Sequence, residues 1–339
     1  MKKAKIAITM GDPAGIGAEI AVKALQREEL YKNTLPIVIG SKSVIKDAVD
    51  FTKSNSDLNI IKKPEAAAGK FGTIDLLDLD NIKLNNFKYG QVSPAAGKAA
   101  IEYILKAINL AREDRVQAVV TGPINKEAIN KAGYPYAGHT ELFAEKTAAN
   151  NYAMMLSSKE MRVIHVSTHL SLKEAVEKVK KERIYDVISL ANKAMLGIGI
   201  ENPKIAVAGL NPHAGENGLF GREEIEEIIP AVKKAAKEGI NVEGPIPPDT
   251  VFSKVMGGRY DIAVVMYHDQ GHIPMKVTGF KLDQKTNEWK SVSGVNTTVG
   301  LPIIRTSVDH GTAFEIAGEN KANEDSLVEA IELAVEFAD

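Results

Sequence analysis

The stretch "AKIAITMGDPAGIGAEIAVKAL", residues 4–25, decides how the chain is read. Its first six residues form an apolar run, and "AEIAVKAL" places apolar side chains at three- and four-residue spacing. Between them "MGDPAGIG" holds Gly11, Gly15 and Gly17, so a strand passes through a tight turn into a helix. The turn leaves an open helix N-terminus near some ligand, with Glu19 well placed in its first turn.

Glycines at this spacing also occur in dinucleotide-binding turns, which raises that possibility and then weakens it. The next strand, "LPIVIG", runs into Ser41 and Lys42, with no acid to hold an adenosine ribose. None of the nine tyrosines has a lysine four positions later, as a short-chain dehydrogenase would require. A motif without its context carries little weight, and the turn reads as one whose glycines let backbone approach ligands.

The same alternation continues along the chain. "IDLLDL", "QAVVTGPI", "YAMMLSS", "RVIHVSTH", "KIAVAGL", "DIAVVMYH" and "PIIRTS" predict strands. "SPAAGKAAIEYILKAINLARED", "SLKEAVEKVKKERIYDVISLANKAM", "REEIEEIIPAVKKAAKEG" and the final "SLVEAIELAVEFAD" predict helices. Nearly all-apolar strands alternating with amphipathic helices imply an α/β fold with a mostly parallel sheet covered on both faces. One polar stretch, Lys281 to Gly294, breaks the pattern and predicts a surface loop or hairpin insertion.

Composition narrows the function. A length of 339 residues suggests two domains or one large one. With 42 Lys and Arg against 44 Asp and Glu, the formal charge of -2 argues against a nucleic-acid partner. No run of 18 apolar residues exists, and "MKKAKIAITMGD" reads as a first strand, so no membrane partner is expected and the location reads as cytoplasmic. The absence of cysteine excludes disulfides, thiolate metal sites and cysteine nucleophiles.

The histidines are the strongest chemical signal. His169, His213 and His268 each follow or close a predicted strand, and ligands in open α/β sheets gather at strand carboxyl ends. Three neutral imidazoles suit a divalent transition metal with positions left open. His165 lies four residues before His169, on the same face but deeper, and reads as a core or supporting residue. Around them are groups suited to an anion: His139 and Thr140 at a helix start, Lys276, Asn296, and Arg305 at the end of an apolar strand. A buried arginine needs an anionic partner, from protein or ligand. Lys126 opens a helix where the dipole disfavours a cation, which marks it for function. Asp249 and Asp269 add carboxylates, Asp249 also being a candidate N-cap for a helix starting at Thr250.

Taken in order, "MGDPAGIGAEI", "TGPINK", "GHTE", "STHL", "NPHAGENGLFG", "GPIPPDT", "YHDQGHIPMK" and "GVNTTVGLPIIRTSVDHGTA" resemble the 4-hydroxythreonine-4-phosphate dehydrogenase family of pyridoxal phosphate biosynthesis, from about Ile6 to the C-terminal helix. The resemblance implies two αβα domains of the isocitrate and isopropylmalate dehydrogenase type, with the active-site cleft between them. The expected borders are 1–134 with 277–339 for the first domain and 135–276 for the second, which makes the dimer contact. It implies a homodimer with shared sites and a divalent ion (Zn, Co, Ni, Mn or Mg) on His169, His213 and His268. It implies NAD or NADP gripped by the loop His310, Gly311, Thr312 and Ala313. The implied substrate contacts are His139, Thr140, Lys276, Asn296 and Arg305, and Lys126, Asp249 and Asp269 are candidates for proton transfer. The implied reaction oxidises the C3 hydroxyl of a 4-phosphorylated hydroxy acid and then releases CO2.

Two features depart from the biosynthetic enzymes: His272, where an apolar residue is usual, and the insertion Lys281–Gly294. Both resemble the paralogous branch acting on D-threonate or D-erythronate 4-phosphate, whose substrates carry a hydroxyl at C2 in place of an amine. His272 is therefore a further candidate substrate contact. Alternatives are a cis-dihydrodiol carboxylate dehydrogenase of the same family and a non-catalytic phosphosugar-binding protein.

Overall fold

The computed structural model describes residues 3–282 and 289–339, without the side chains of 281–282 and 289–292. The chain divides into two compact units, Met1–Ala149 with Leu301–Asp339, and Asn150–Gly300. These borders fall later along the chain than the expected 134/135 and 276/277. The helix His139–Thr147 buries Leu142 and Phe143 in the first unit, and the strand near residue 295 pairs inside the second.

The first unit opens with β1 (Ala4–Thr9), β2 (Thr34–Gly40), β3 (Asp57–Ile61), β4 (Thr73–Asp78) and β5 (Ala118–Thr121). The second contains β6 (Ala153–Ser157), β7 (Arg162–His165), β8 (Ile205–Ala208), β9 (Val242–Ile246), β10 (Ile262–Val265), a hairpin of β11 (Phe280–Leu282) and β12 (Trp289–Val292), and β13 (Val295–Val299). β14 (Ile304–Val308) returns to the first unit.

In the first unit the strand order is β3-β4-β2-β1-β5-β14, every neighbouring pair parallel. β1, β2 and β5 are buried almost throughout, which is why they are continuous apolar runs in the sequence. In the second unit the order is β13-β6-β7-β10-β8-β9. There β6 is antiparallel to both neighbours, and β7, β10, β8 and β9 are parallel.

The expected α/β alternation is present, with three strands added. β3 and β9 are sheet edges with mixed burial, and β13 reads "VNTTV"; none has the apolar run that marks a covered strand. The long helical stretch after Ser171 is two helices, Leu172–Lys178 and Lys181–Gly197, because Val179 and Lys180 leave helical geometry. The polar insertion forms the hairpin; residues 283–288 of that prediction lie outside the described residues. Among the described residues no helix is long and apolar enough to cross a membrane.

Candidate active site

In the first unit the loops after β1, β5 and β14, three neighbouring parallel strands, are stitched together by backbone. Asp12 N–H donates to the Pro123 carbonyl at 2.8 Å, and Ile16 N–H to the Thr312 carbonyl at 3.1 Å. The opening glycines serve this contact. A Cβ at Gly15 would lie 2.9 Å from the Thr312 Cβ, and one at Gly17 would overlap the Met10 carbonyl. The expected approach of backbone to ligand is therefore an approach of the turn onto its own first residue at Gly17, and of loop to loop at Gly15. It also anchors the proposed cofactor loop: His310 Nδ1 lies 3.0 Å from the Gly311 carbonyl, Ala313 is left-handed, and a Cβ at Gly311 would meet open space.

Asp12 is fully buried at the centre of this contact, its Oδ1 accepting the Ala14 N–H at 2.8 Å. Burial pushes its carboxyl up to about 6, the Ala14 N–H opposing. The folded chain thus holds the proton more tightly than the unfolded chain, whose aspartate titrates near the ordinary value. Stability is fully present below that ordinary value and falls, by about 3 kcal/mol, as pH rises through 6. Asp12→Asn, which keeps an acceptor for Ala14, is expected to flatten this loss. Denaturant unfolding of both proteins at pH 4 and pH 7 checks it, and equal pH dependence would refute the assignment.

The anion-binding candidates of this unit lie together. His139 and Thr140 open the helix His139–Thr147 after Gly138, as expected, with Glu141 in its first turn. A Cβ on Gly138 would touch both Glu141 Oε2 and Lys126 Cε. Lys126 is the first residue of the helix Lys126–Lys131, capped by the Asn125 side chain on Ala128 N–H. Arg305 is the second residue of β14 and not at the strand's end as expected, because the strand runs on to Val308. It is 2 % exposed, donates to Thr121 Oγ1 at 2.8 Å and lies 5.5 Å from the Phe143 ring. Burial pulls Arg305 down to about 9, with Glu141 opposing, and burial with the Arg305 charge holds His139 well below the histidine range. A neutral imidazole, a buried guanidinium and a helix N-terminus form a receptor for a phosphate or carboxylate.

In the second unit β7, β10 and β8 are adjacent and parallel, so their following segments lie side by side. These segments carry the three candidate ligands, placed beyond the strands and not at their last residues. His169 is in a loop with φ of 46°, and His268 is the first residue of the helix His268–Gly279. His213 belongs to a turn in which His213, Ala214, Gly215, Glu216 and Asn217 are all left-handed. Each non-glycine residue there costs roughly 1 kcal/mol. The rings of His169 and His268 are 5.9 Å apart, on a cavity of about 320 Å³ also lined by Asp269, Tyr267 and Ser167. His268 Nδ1 meets Asp269 Oδ1 at 2.6 Å, a contact that orients a ligating ring. These two histidines suit one divalent ion. Among the described residues no group of three or more His, Cys, Asp or Glu is placed to hold one, and His213 contacts the Phe220 ring instead, at 6.3 Å.

His272 stacks on His268, with ring centroids 3.5 Å apart and planes 10° from parallel, and its Nδ1 lies 3.0 Å from the His268 carbonyl. His165 is buried beneath, 4.8 Å from the His272 ring, with Nδ1 on the Met154 carbonyl; burial holds it down to about 3, helped by His272. Lys276 sits in the last turn of the same helix, its Nζ 4.2 Å from the Phe280 ring. Asn296 on β13 has a buried Oδ1 without a hydrogen-bond partner. Asp249 is not an N-cap: the helix Pro248–Met256 begins before it, leaving Asp249 exposed in the first turn. Sequence reasoning missed Asp12, a carboxylate inside a glycine turn, and Glu224, which lies in what reads as an ordinary helix.

Loops at the carboxyl ends of parallel strands, one set rich in imidazole, are where α/β enzymes of this class place their ligands. Residues 32–334 match the family described as "Pyridoxal phosphate biosynthetic protein PdxA". The chain belongs to this family, and it is an oxidoreductase. A relative from Oceanobacillus iheyensis, provisionally named D-threonate 4-phosphate dehydrogenase, is 50% identical over 99% of this chain and 98% of its own. The crystal structure of 4-hydroxythreonine-4-phosphate dehydrogenase from Klebsiella pneumoniae is 42% identical, with a TM-score of 0.87 over 99% of this chain and 100% of that one. A terephthalate 1,2-cis-dihydrodiol dehydrogenase from Burkholderia xenovorans is 29% identical, with a TM-score of 0.68 over 99% and 98%.

Proposed function

We propose that the protein is an NAD(P)-linked, metal-dependent dehydrogenase that oxidises and decarboxylates a 4-phosphorylated 2,3-dihydroxy acid, D-threonate 4-phosphate or its D-erythronate isomer. The observation that carries the substrate choice is the stack of His272 on His268. With Nδ1 donating to the His268 carbonyl, the ring meets substrate through Nε2. A C2 hydroxyl both donates and accepts, so it pairs with that atom in either protonation state; an ammonium only donates and is repelled by a charged imidazole.

When bound, NAD(P) would accept the C3 hydride, and a divalent ion held by His169, His213 and His268 would polarise the C3 oxygen and offset the negative charge left on the carbon skeleton as neutral CO2 departs. His139, Thr140 and Arg305 hold the phosphate, while Lys276 and Asn296 hold the remaining polar groups of the acid. Lys126, Asp249 and Asp269 remain the groups for taking the C3 proton and returning one to C2. Oxidation at C3 makes a β-keto acid, and loss of its carboxylate yields dihydroxyacetone phosphate. The kinship with isocitrate and isopropylmalate dehydrogenases and the cofactor role of His310 to Ala313 belong to the same proposal.

The protein works as a homodimer in this proposal, with His213 completing the ligand set of a second copy. Support comes from Leu172, Leu219, Ile273 and Val277, each at least 60% exposed, on the segments that carry the histidines. Dihydrodiol oxidation is less favoured, because the relatives at 50% and 42% identity are named for phosphorylated substrates, whereas the dihydrodiol dehydrogenase is 29% identical.

The test is NADH or NADPH formation from D-threonate, D-erythronate and 4-hydroxy-L-threonine 4-phosphates, with and without chelator. The hydroxy acids are expected to be preferred and the chelator to stop turnover. His272→Leu should reduce that preference about 10-fold in kcat/KM. An unchanged ratio would remove His272 from substrate selection.

A further inference from the structure

Five consecutive left-handed residues, four of them with a Cβ, form the turn that carries His213. Such a turn persists only where its surroundings over-determine it. Backbone bonds from Ala214 N–H to the Asn211 carbonyl and from Phe220 N–H to the Gly215 carbonyl close it, and Glu224 braces its entry from behind. Glu224 is 1% exposed, and its Oε1 accepts the N–H of Leu210 at 2.8 Å and of Asn211 at 2.7 Å, the residues leading into the turn. Its Oε2 accepts from Asn211 Nδ2 at 2.9 Å, and a Cβ on Gly215 inside the turn would lie 2.7 Å from that oxygen. Glu224 also opens a π-helical turn, Glu224–Ile228, that runs directly into the helix Ile229–Lys237. One buried carboxylate thus ties the strained turn to a rigid helix.

We propose that Glu224 is a positioning residue for His213: it fixes the left-handed turn and thereby the direction in which the imidazole is offered to a divalent ion. This rests on His213 as a metal ligand. Glu224 itself touches neither ion nor substrate. Residues that orient a ligand from behind typically govern metal affinity by about 10–100-fold.

The experiment titrates Co²⁺ into the full-length protein, followed by calorimetry and visible absorption, with hydrogen exchange of residues 209–221 in parallel. H213A is expected to weaken binding and change the absorption bands. E224Q, with His213 intact, is expected to weaken binding about 10–100-fold and to speed exchange in the turn. Ala214→Gly, which removes a left-handed penalty without touching the imidazole, is expected to restore much of the affinity in E224Q and to change little alone. That rescue separates positioning from loss of fold. If E224Q does not fold, E224D, which withdraws the carboxylate by one methylene, takes its place with a smaller loss in the same direction. H213A weakening binding while E224Q binds as wild type would overturn the proposal and leave the ligand assignment standing. H213A binding as wild type would overturn both.

Discussion

His169→Ala and His213→Ala, each made alone, are expected to reduce turnover by about 1,000-fold or more, the scale set by losing a group that stabilises developing charge. The informative result comes from mixing them. One chain brings the rings of His169 and His268 to one cavity, whereas the His213 ring lies against Phe220. If His213 serves a second copy, a heterodimer of the two variants rebuilds one intact site and destroys the other. Random reassembly then recovers about a quarter of wild-type activity. A site whose three histidines came from one chain would recover nothing on mixing. The variants should stay folded, because His169 and His213 are exposed and a missing exposed imidazole leaves no cavity.

Arg305 is expected to give the second large effect. Replacing it with Met should lower kcat/KM for the phosphorylated substrate about 100-fold or more, equivalent to roughly 3 kcal/mol, mostly through KM. Lysine should restore little, since a point charge cannot reproduce the planar fork that donates to Thr121 and that the proposal aims at the phosphate. The pKa pulled down to about 9 gives a separate readout. An anion bound beside Arg305 relieves the cost of burying its charge, so inorganic phosphate should raise the melting temperature of wild type and not of R305M. A variant that loses stability yet keeps its KM would mark Arg305 as structural.

The sequence was informative where burial is uniform. β1, β2, β5, β8 and β10 are covered parallel strands, and their unbroken apolar runs need no tertiary knowledge to recognise. β3 and β9 were silent because edge strands tolerate polar residues. His139, Arg305 and the histidines after β7, β8 and β10 stood out by residue type and position. What they do to each other did not. The His165, His272 and His268 rings meet because a strand and a helix separated by a hundred residues pack together. The glycines of residues 11–17 suggested a ligand, yet two of them make room for Thr312 and Met10. Glu224 was invisible for the same reason: "REEIEEI" reads as a solvated helical face, and only the fold turns that carboxylate towards Leu210 and Asn211. The trapped Asp12 likewise needs three loops from distant parts of the chain.

The central claim is oxidation coupled to decarboxylation of a phosphorylated dihydroxy acid. D-Threonate 4-phosphate labelled with ¹³C in its carboxylate tests it in one reaction, with reduced nicotinamide, labelled CO2 and dihydroxyacetone phosphate measured together. All three should appear in equal amounts and stop when a chelator removes the metal. Reduced nicotinamide without labelled CO2, or no turnover of this substrate with metal supplied, would contradict it.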